Sequence, residues 1–331
     1  MVELAKTLVS MVEHADWAMF CKNGTDATTM AMSSARAQTG KRIVRVAKGA
    51  NHGAAPWCTP IPAGTVVEDR AHIRTYAYND VTSLEAAVAE AGDDLAAIFA
   101  SPFRHDAFMD QEAPDPAYAR RARELCDANG AMLIIDEVRA GFRMARGSSW
   151  SELGVQPHLS AWGKCFANGH PISALLGSDS CRQGAGSIYA TGSFWLSAVP
   201  MAAAIETLRI IRESDYLEHI VRLGDRLRAG LDAAAASNGF MLRQTGPVQM
   251  PQVMFVDDPD LRIGYAWAEE MLARGVYMHP WHNMFLCAAM TEADIDETIA
   301  AAEAAFRAVV ARRDTLAPHP MLIAMAAALA D

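Results

Sequence analysis

Residues 131–143, AMLIIDEVRAGFR, set two carboxylates, Asp136 and Glu137, at the end of a run apolar enough to be a buried strand. Ligands of parallel α/β sheets bind beyond the carboxyl ends of the strands, where the loops diverge. A charge buried there is costly unless a cation or hydrogen-bond donors meet it, so a positively charged ligand atom is one natural partner for Asp136. A turn or N-cap carboxylate for the following EVRAG is the plainer alternative.

Outward from this strand the pattern alternates. Residues 25–38 read as a helix opened by Asn23-Gly24-Thr25 and stopped by Gly40, and RIVRV (42–46) follows as a short strand. Next come a helix capped by Asp80 or Thr82, a strand ending at Ser101-Pro102, and a helix over 116–129 that leads into the quoted strand. LSAWGK (159–164) and ISALLGSD (172–179) supply two more. Such alternation predicts an α/β fold with a mostly parallel central sheet wrapped by helices. After Ser197 the texture changes to one long helical stretch, 198–236, with Gly224 and Gly230 as breaks. Beyond it lie short strands in QVMFVDD, GVYMHP and MFLCAAM, a helix over 292–312 and a final Ala-rich turn. The reading is a large domain over residues 1–207 and a smaller C-terminal α+β domain over 208–331, without internal repeats or low-complexity linkers.

The 331 residues are 51% hydrophobic and 21% charged, which suits a chain folded throughout around a well-filled core. The formal charge of −10, from 29 basic and 39 acidic residues, disfavours a nucleic acid or an anionic membrane as partner and favours small molecules. Six scattered cysteines without a CxxC pair suggest neither a zinc knuckle nor a disulfide framework. No apolar run reaches the length of a membrane span, and no N-terminal signal pattern is present, so a cytoplasmic protein is expected.

Lys164 stands 28 residues after Asp136, behind a turn glycine and among apolar and small residues. Desolvation in such a place turns an ammonium into a nucleophilic amine. An amine with a strand-end carboxylate matches what pyridoxal phosphate needs: a Schiff-base partner, and an anion to keep the pyridine nitrogen protonated. Gly24 and Thr25 open a helix whose free N–H groups and positive dipole end suit that cofactor's phosphate. His279 and His282 resemble a metal pair, but no carboxylate or cysteine supports them, so no metal is assigned. No GxSxG elbow, Walker loop or dinucleotide GxGxxG is found in context.

Taken together, NGTDATTMAMSSARAQTGKRIVR, LIIDEVRAGFR, WGKCFANGHPISALLG and the tail TEADIDETIAAAEAAF resemble the class III aminotransferases of the fold-type I pyridoxal-phosphate enzymes, with glutamate-semialdehyde aminomutase the nearest branch in motif. The resemblance covers nearly the whole chain. It implies that Lys164 forms the Schiff base and moves the proton, and that Asp136 pairs with the pyridinium nitrogen. Val138 would pack on the ring, and Asn23, Gly24 and Thr25 would seat the phosphate. It further implies a homodimer with shared active sites, where Ser193 reaches the partner's phosphate, and amine or amino acid donors with keto acid or aldehyde acceptors.

The chain departs from the family pattern in three places. Asn51 stands where the family carries a ring-stacking Tyr, leaving His52 or Trp57 to cover the ring. Ser101-Pro102 replaces a Glu-Pro, and only a short segment precedes the phosphate loop. Trp57, Trp162, Trp195 and Trp281 could make an apolar substrate pocket, and Arg104, Arg139 and Arg143 could grip a carboxylate. A glutamate-semialdehyde-type aminomutase is the alternative within the same chemistry. A non-catalytic cofactor- or partner-binding member is the alternative outside it.

Overall fold

The computed structural model describes residues 1–318 together with Pro320, Leu322 and Ile323; the final Ala-rich turn expected from the sequence lies outside them. The chain divides into two compact units, the first made of Met1–Arg104 and Ala113–Ser214, the second of His105–Glu112 and the chain from Asp215 onward.

The first unit carries α1 (Val2–Met11), β1 (Trp17–Cys21), α2 (Gly24–Thr39), β2 (Ile43–Ala47), β3 (Ile73–Tyr76), α3 (Val81–Ala91), β4 (Leu95–Ala100), α4 (Pro116–Ala128), β5 (Met132–Asp136), β6 (Leu159–Trp162), β7 (Ser173–Gly177), α5 (Arg182–Ser187) and α6 (Ala198–Glu213). Among the described residues its strands form one seven-stranded sheet in the order β1-β7-β6-β5-β4-β2-β3. β7 runs against both its neighbours, and every other pairing is parallel, so the carboxyl ends of six strands share one edge. The mostly parallel α/β architecture is the one the alternation predicted.

Strand period two sorts the core onto two faces. Phe99 and Ile134 pack with Ala27, Met30, Ala31 and Ala35 of α2. Ile98, Leu133 and Ile135 pack on the other face with Leu84 and Val88 of α3 and Tyr118, Ala122 and Leu125 of α4. Each large apolar side chain buried this way contributes roughly 1.5–3 kcal/mol. The alanines of α2 let that helix lie close against the sheet, and its start and stop are local. Asn23 and Asp26 cap each other reciprocally, and Gly40 takes the left-handed turn at φ +69°.

The long helical stretch is broken at Ser214–Asp215, between α6 and α7 (Tyr216–Ser237), and not at Gly224 or Gly230. Arg146 explains the position: its Nε donates to the Ile211 carbonyl at 3.0 Å and its Nη2 to that of Ser214 at 2.7 Å, satisfying carbonyls the helix end leaves open. The two glycines serve close packing instead. A Cβ on Gly224 would meet the Val248 carbonyl oxygen at 2.4 Å, and one on Gly230 would meet Ile299 Cδ1 at 2.2 Å.

The second unit continues with β8 (Leu242–Arg243), β9 (Met254–Phe255), α8 (Arg262–Leu272) and α9 (Glu292–Val310). Of the expected strands only Met254–Phe255 within QVMFVDD forms, paired antiparallel with β8. GVYMHP and MFLCAAM form none, although Met284 N donates to Pro251 O at 2.7 Å and Leu286 N to Gln249 O at 3.1 Å. Pro251 and Pro280 remove donors that a continuous ladder needs. Among the described residues no helix is long and apolar enough to cross a membrane, and all six cysteines are free.

Candidate active site

The alternation that sorts the core also separates the two carboxylates. Asp136 follows Ile134 onto the face of α2, and Glu137 follows Ile135 onto the opposite one. Asp136 is buried. Its Oδ2 accepts from His52 Nδ1 at 2.8 Å and its Oδ1 from the Val138 amide at 3.1 Å. Glu137 is fully buried and accepts from Ser148 Oγ at 3.0 Å, Ser149 N at 2.7 Å and Ser149 Oγ at 2.5 Å. Burial pushes its pKa up to about 7 against the pull of those donors.

Lys164 leaves the end of β6 in a tight turn, in the left-handed region at φ +47°. Such a conformation costs a non-glycine residue energy and is kept where the surroundings impose it. Although much of the side chain is open to solvent, the protein packed around it lowers the Lys164 pKa, first by desolvation and then through Arg139; Asp136 opposes this and Arg143 adds to it. An amine of reduced basicity is what a nucleophile at this place requires.

Val138 joins the two halves of the site. Its Cγ1 lies 2.7 Å from where a Cβ on Gly24 would stand and 3.4 Å from one on Gly163, the residue before Lys164. Glycine at 24 is therefore needed for the start of α2 to approach the end of β5. The Gly24 and Thr25 amides belong to the first turn, which no intrahelical carbonyl serves. Thr25 Oγ1 accepts from the Ala54 amide at 3.1 Å, holding the 51–54 loop against this helix end, and Gly53 at φ +130° passes beside it.

The structure brings Gly24, Thr25, His52, Asp136 and Val138 together. Asn23 spends its side-chain oxygen on the Asp26 amide at 3.1 Å. Asn51 spends its own on the Gly53 amide at 2.9 Å. His52 is buried behind Asp136, 4.4 Å from the Phe99 ring and 6.5 Å from that of Trp57, with its Nε2 lacking a protein partner. Ser193 lies in an exposed stretch. Trp162 is core, packed 4.5 Å from Phe142, so the four tryptophans do not form one pocket wall. His279 Nδ1 accepts from the His282 amide at 3.0 Å within a turn, and among the described residues no group of three His, Cys, Asp or Glu is placed to hold a metal. Ser148 and Ser149, which hold Glu137, give no signal in the sequence.

These residues fit pyridoxal phosphate on the geometry itself. A buried carboxylate is oriented by an imidazole, an amine of lowered pKa sits in the turn just past the neighbouring strand, and a helix N-terminus is kept open by a glycine that a Cβ would block.

The family model for class III aminotransferases matches residues 1–306. An aminopentol aminotransferase of Sphingopyxis macrogoltabida is 58% identical over 328 residues, 99% of this chain and 78% of that protein. Glutamate-1-semialdehyde 2,1-aminomutase 2 of Bacillus thuringiensis (strain Al Hakam) is 32% identical over 330 residues, 92% of this chain and 76% of that one. The solved structure of the FumI protein of Sphingopyxis sp. MTA144 in its PLP internal aldimine form superposes with a TM-score of 0.96 at 58% identity, over 97% of this chain and 78% of that chain.

Proposed function

The chain belongs to the class III aminotransferases and is a pyridoxal-phosphate-dependent enzyme, and on that premise we propose that Lys164 and Asp136 are its catalytic pair. When bound, the cofactor supplies an electron sink for a carbanion beside the transferred nitrogen. The Asp136 carboxylate, held by His52 and the Val138 amide, presents a fixed negative charge to a pyridinium nitrogen. The Lys164 amine carries the proton between donor carbon and cofactor, and its lowered pKa makes it a weaker base than an ordinary lysine. Gly24 and Thr25 hold the phosphate with backbone amides and the dipole of α2. Asn23 supports them as the cap, and Val138 sets the ring plane.

The observation that supports this reading is that Val138 packs beside both Gly24 at the α2 start and Gly163 before Lys164, filling the space a Cβ at either would need, so one side chain lies between the proposed phosphate seat and the turn that carries the amine. The 58% identical aminopentol aminotransferase supports an amino alcohol, an amine without a carboxylate, as donor, with a keto acid or aldehyde as acceptor. Exposed apolar side chains beside Ser193 (Tyr189 94%, Phe194 75%, Leu196 62%) support a homodimer in which this stretch packs on a second copy. A cytoplasmic location agrees with the unpaired cysteines.

The test is the visible absorbance of purified protein with the cofactor, before and after a panel of amines, followed by mass analysis after borohydride reduction. A band fixed to Lys164 and bleached by amino alcohols with release of their carbonyl products is the expected result. A band bleached only by a diamine or amino aldehyde that is then isomerised would favour an aminomutase. Reduction that labels a different lysine would overturn the assignment.

A further inference from the structure

Glu137 stands one residue from Asp136 and takes no part in the reaction as described, yet it is fully buried and its burial is costly, as the rise of its pKa to about 7 records. An apolar side chain would fill the same space without that cost. What the carboxylate adds is its set of donors. It reaches eleven and twelve residues along the chain to Ser148 and Ser149, closing the intervening segment into a loop.

That loop, residues 138–147, carries Val138 and Arg139 at its start and Arg143 further on, and its path is fixed elsewhere too. The Gly141 amide donates to the Glu137 carbonyl at 2.7 Å, and a Cβ at Gly141 would meet the Trp162 ring at 2.6 Å. Phe142, at φ +59°, lays its ring 4.5 Å from that of Trp162, two residues before Lys164. Past the serines, Trp150 Nε1 donates to the Pro102 carbonyl at 3.1 Å, just beyond β4. The loop is thus held on β6 by Trp162, near β4 by Trp150 and at the end of β5 by Glu137. The Val138 amide is tied to Asp136 Oδ1 at 3.1 Å, and of the three side chains that hold the loop Glu137 is the one next in the chain to Val138, whose side chain packs between Gly24 and Gly163.

We propose that Glu137 is a positioning residue of the reaction: by clasping Ser148 and Ser149 it closes the 138–147 loop and thereby fixes Val138 against the phosphate seat and the Lys164 turn. The inference rests on the aminotransferase reading above. Carboxylate and serines together act as a latch for the residue that sets the ring plane, and a displacement of tenths of an ångström there is passed to the reacting amine.

The experiment compares Glu137→Gln, Glu137→Leu and Ser149→Ala with the parent. It uses hydrogen exchange of the 138–147 amides in cofactor-free protein, cofactor affinity and absorbance maximum, and kcat and KM for an amine the parent accepts. For Glu137→Leu we expect faster exchange confined to 138–147, a shifted absorbance maximum and a kcat about tenfold lower with KM within about twofold. Ser149→Ala should show the same signs to a smaller degree, and Glu137→Gln, which keeps one acceptor, should lie between. If Glu137→Leu fails to fold, Ser149→Ala decides the matter. Unchanged exchange, absorbance and kcat in folded variants, with only a lower melting temperature, would overturn the proposal and leave Glu137 a stability residue. Failure of the aminotransferase reading would show in the parent, which would give no band and no turnover; altered exchange at 138–147 would then establish the latch without the reaction.

Discussion

His52 Nδ1 lies 2.8 Å from Asp136 Oδ2, and both residues are buried. The imidazole is itself fixed, with Phe99 4.4 Å away on ring centroids and its backbone carbonyl accepting from Thr28 Oγ1 at 2.7 Å. A carboxylate acceptor selects the tautomer with its proton on Nδ1. His52 is therefore engaged with Asp136 through Nδ1 and helps fix the orientation of that carboxylate.

Replacing His52 by Leu keeps an apolar body beside Phe99 but removes the donor to Oδ2, loosening Asp136 on that side while the Val138 amide still holds Oδ1. Partners that orient a functional carboxylate typically matter by about tenfold to a hundredfold. The expected outcome for His52→Leu is a kcat/KM reduced by about that factor, carried mainly in kcat, with the cofactor still bound. Steady-state kinetics alongside a cofactor titration check it, and kcat equal to the parent's would show that Asp136 is held well enough by its remaining contacts.

Gly24→Ala places a methyl group 2.7 Å from Val138 Cγ1. Either the first turn of α2 or the end of β5 must move. The helix itself should persist, because its reciprocal cap uses Asn23 and Asp26. The expected result is cofactor affinity weakened by about tenfold, as a helix-end anion site loses aligned amides, with little change in thermal stability of the cofactor-free protein. Fluorescence titration of the cofactor measures it. Affinity equal to the parent's would place the phosphate seat somewhere other than the start of α2.

The sequence carried the fold and pointed to Lys164 and Asp136 as the proposed reacting pair because their signals are local. Strand runs, helix caps and the parity of 134 and 136 against 135 and 137 all lie within a few residues of one another. What escaped depends on distant partners. His52 meets Asp136 across 84 residues, Ser148 and Ser149 become acceptor-seeking only once Glu137 is buried beside them, and the α6–α7 break is set by Arg146, which lies far upstream. Glycines at 224 and 230 read as breaks because periodicity cannot show that Val248 and Ile299 crowd them. α8 has no cap residue of its own at its start, and its N-terminus is served by Asp258, whose carboxylate takes the Ile263 and Gly264 amides at 3.0 and 2.7 Å from outside the helix.

The pH dependence of stability follows from imidazoles whose charged form burial disfavours. Ser160 Oγ receives the Trp162 indole N–H at 2.7 Å and lies 2.8 Å from His14 Nε2, and His158 Nδ1 accepts the Leu133 amide at 2.9 Å. Burial lowers both pKa values to about 4, and that of His279 likewise. Unfolded histidines titrate near 6.5. As pH falls from 6.5 toward 4 the unfolded chain binds protons that the folded chain refuses, so stability present above pH 6.5 is lost across that window. Glu137 acts in the opposite sense: its folded pKa of about 7 exceeds its unfolded value, so the folded state holds the extra proton on acidification and gains stability. The shifts of His14, His158 and Glu137 are each worth on the order of 3 kcal/mol, solvent screening leaves less at the half-buried His279, and the histidines together outweigh one carboxyl group. Urea unfolding free energies are therefore expected to fall between pH 7 and pH 4.5. His14→Gln should reduce that slope by up to one proton and leave the remaining dependence in place. A free energy that rose on acidification through this range would mean that Glu137, and not the histidines, dominates the linkage.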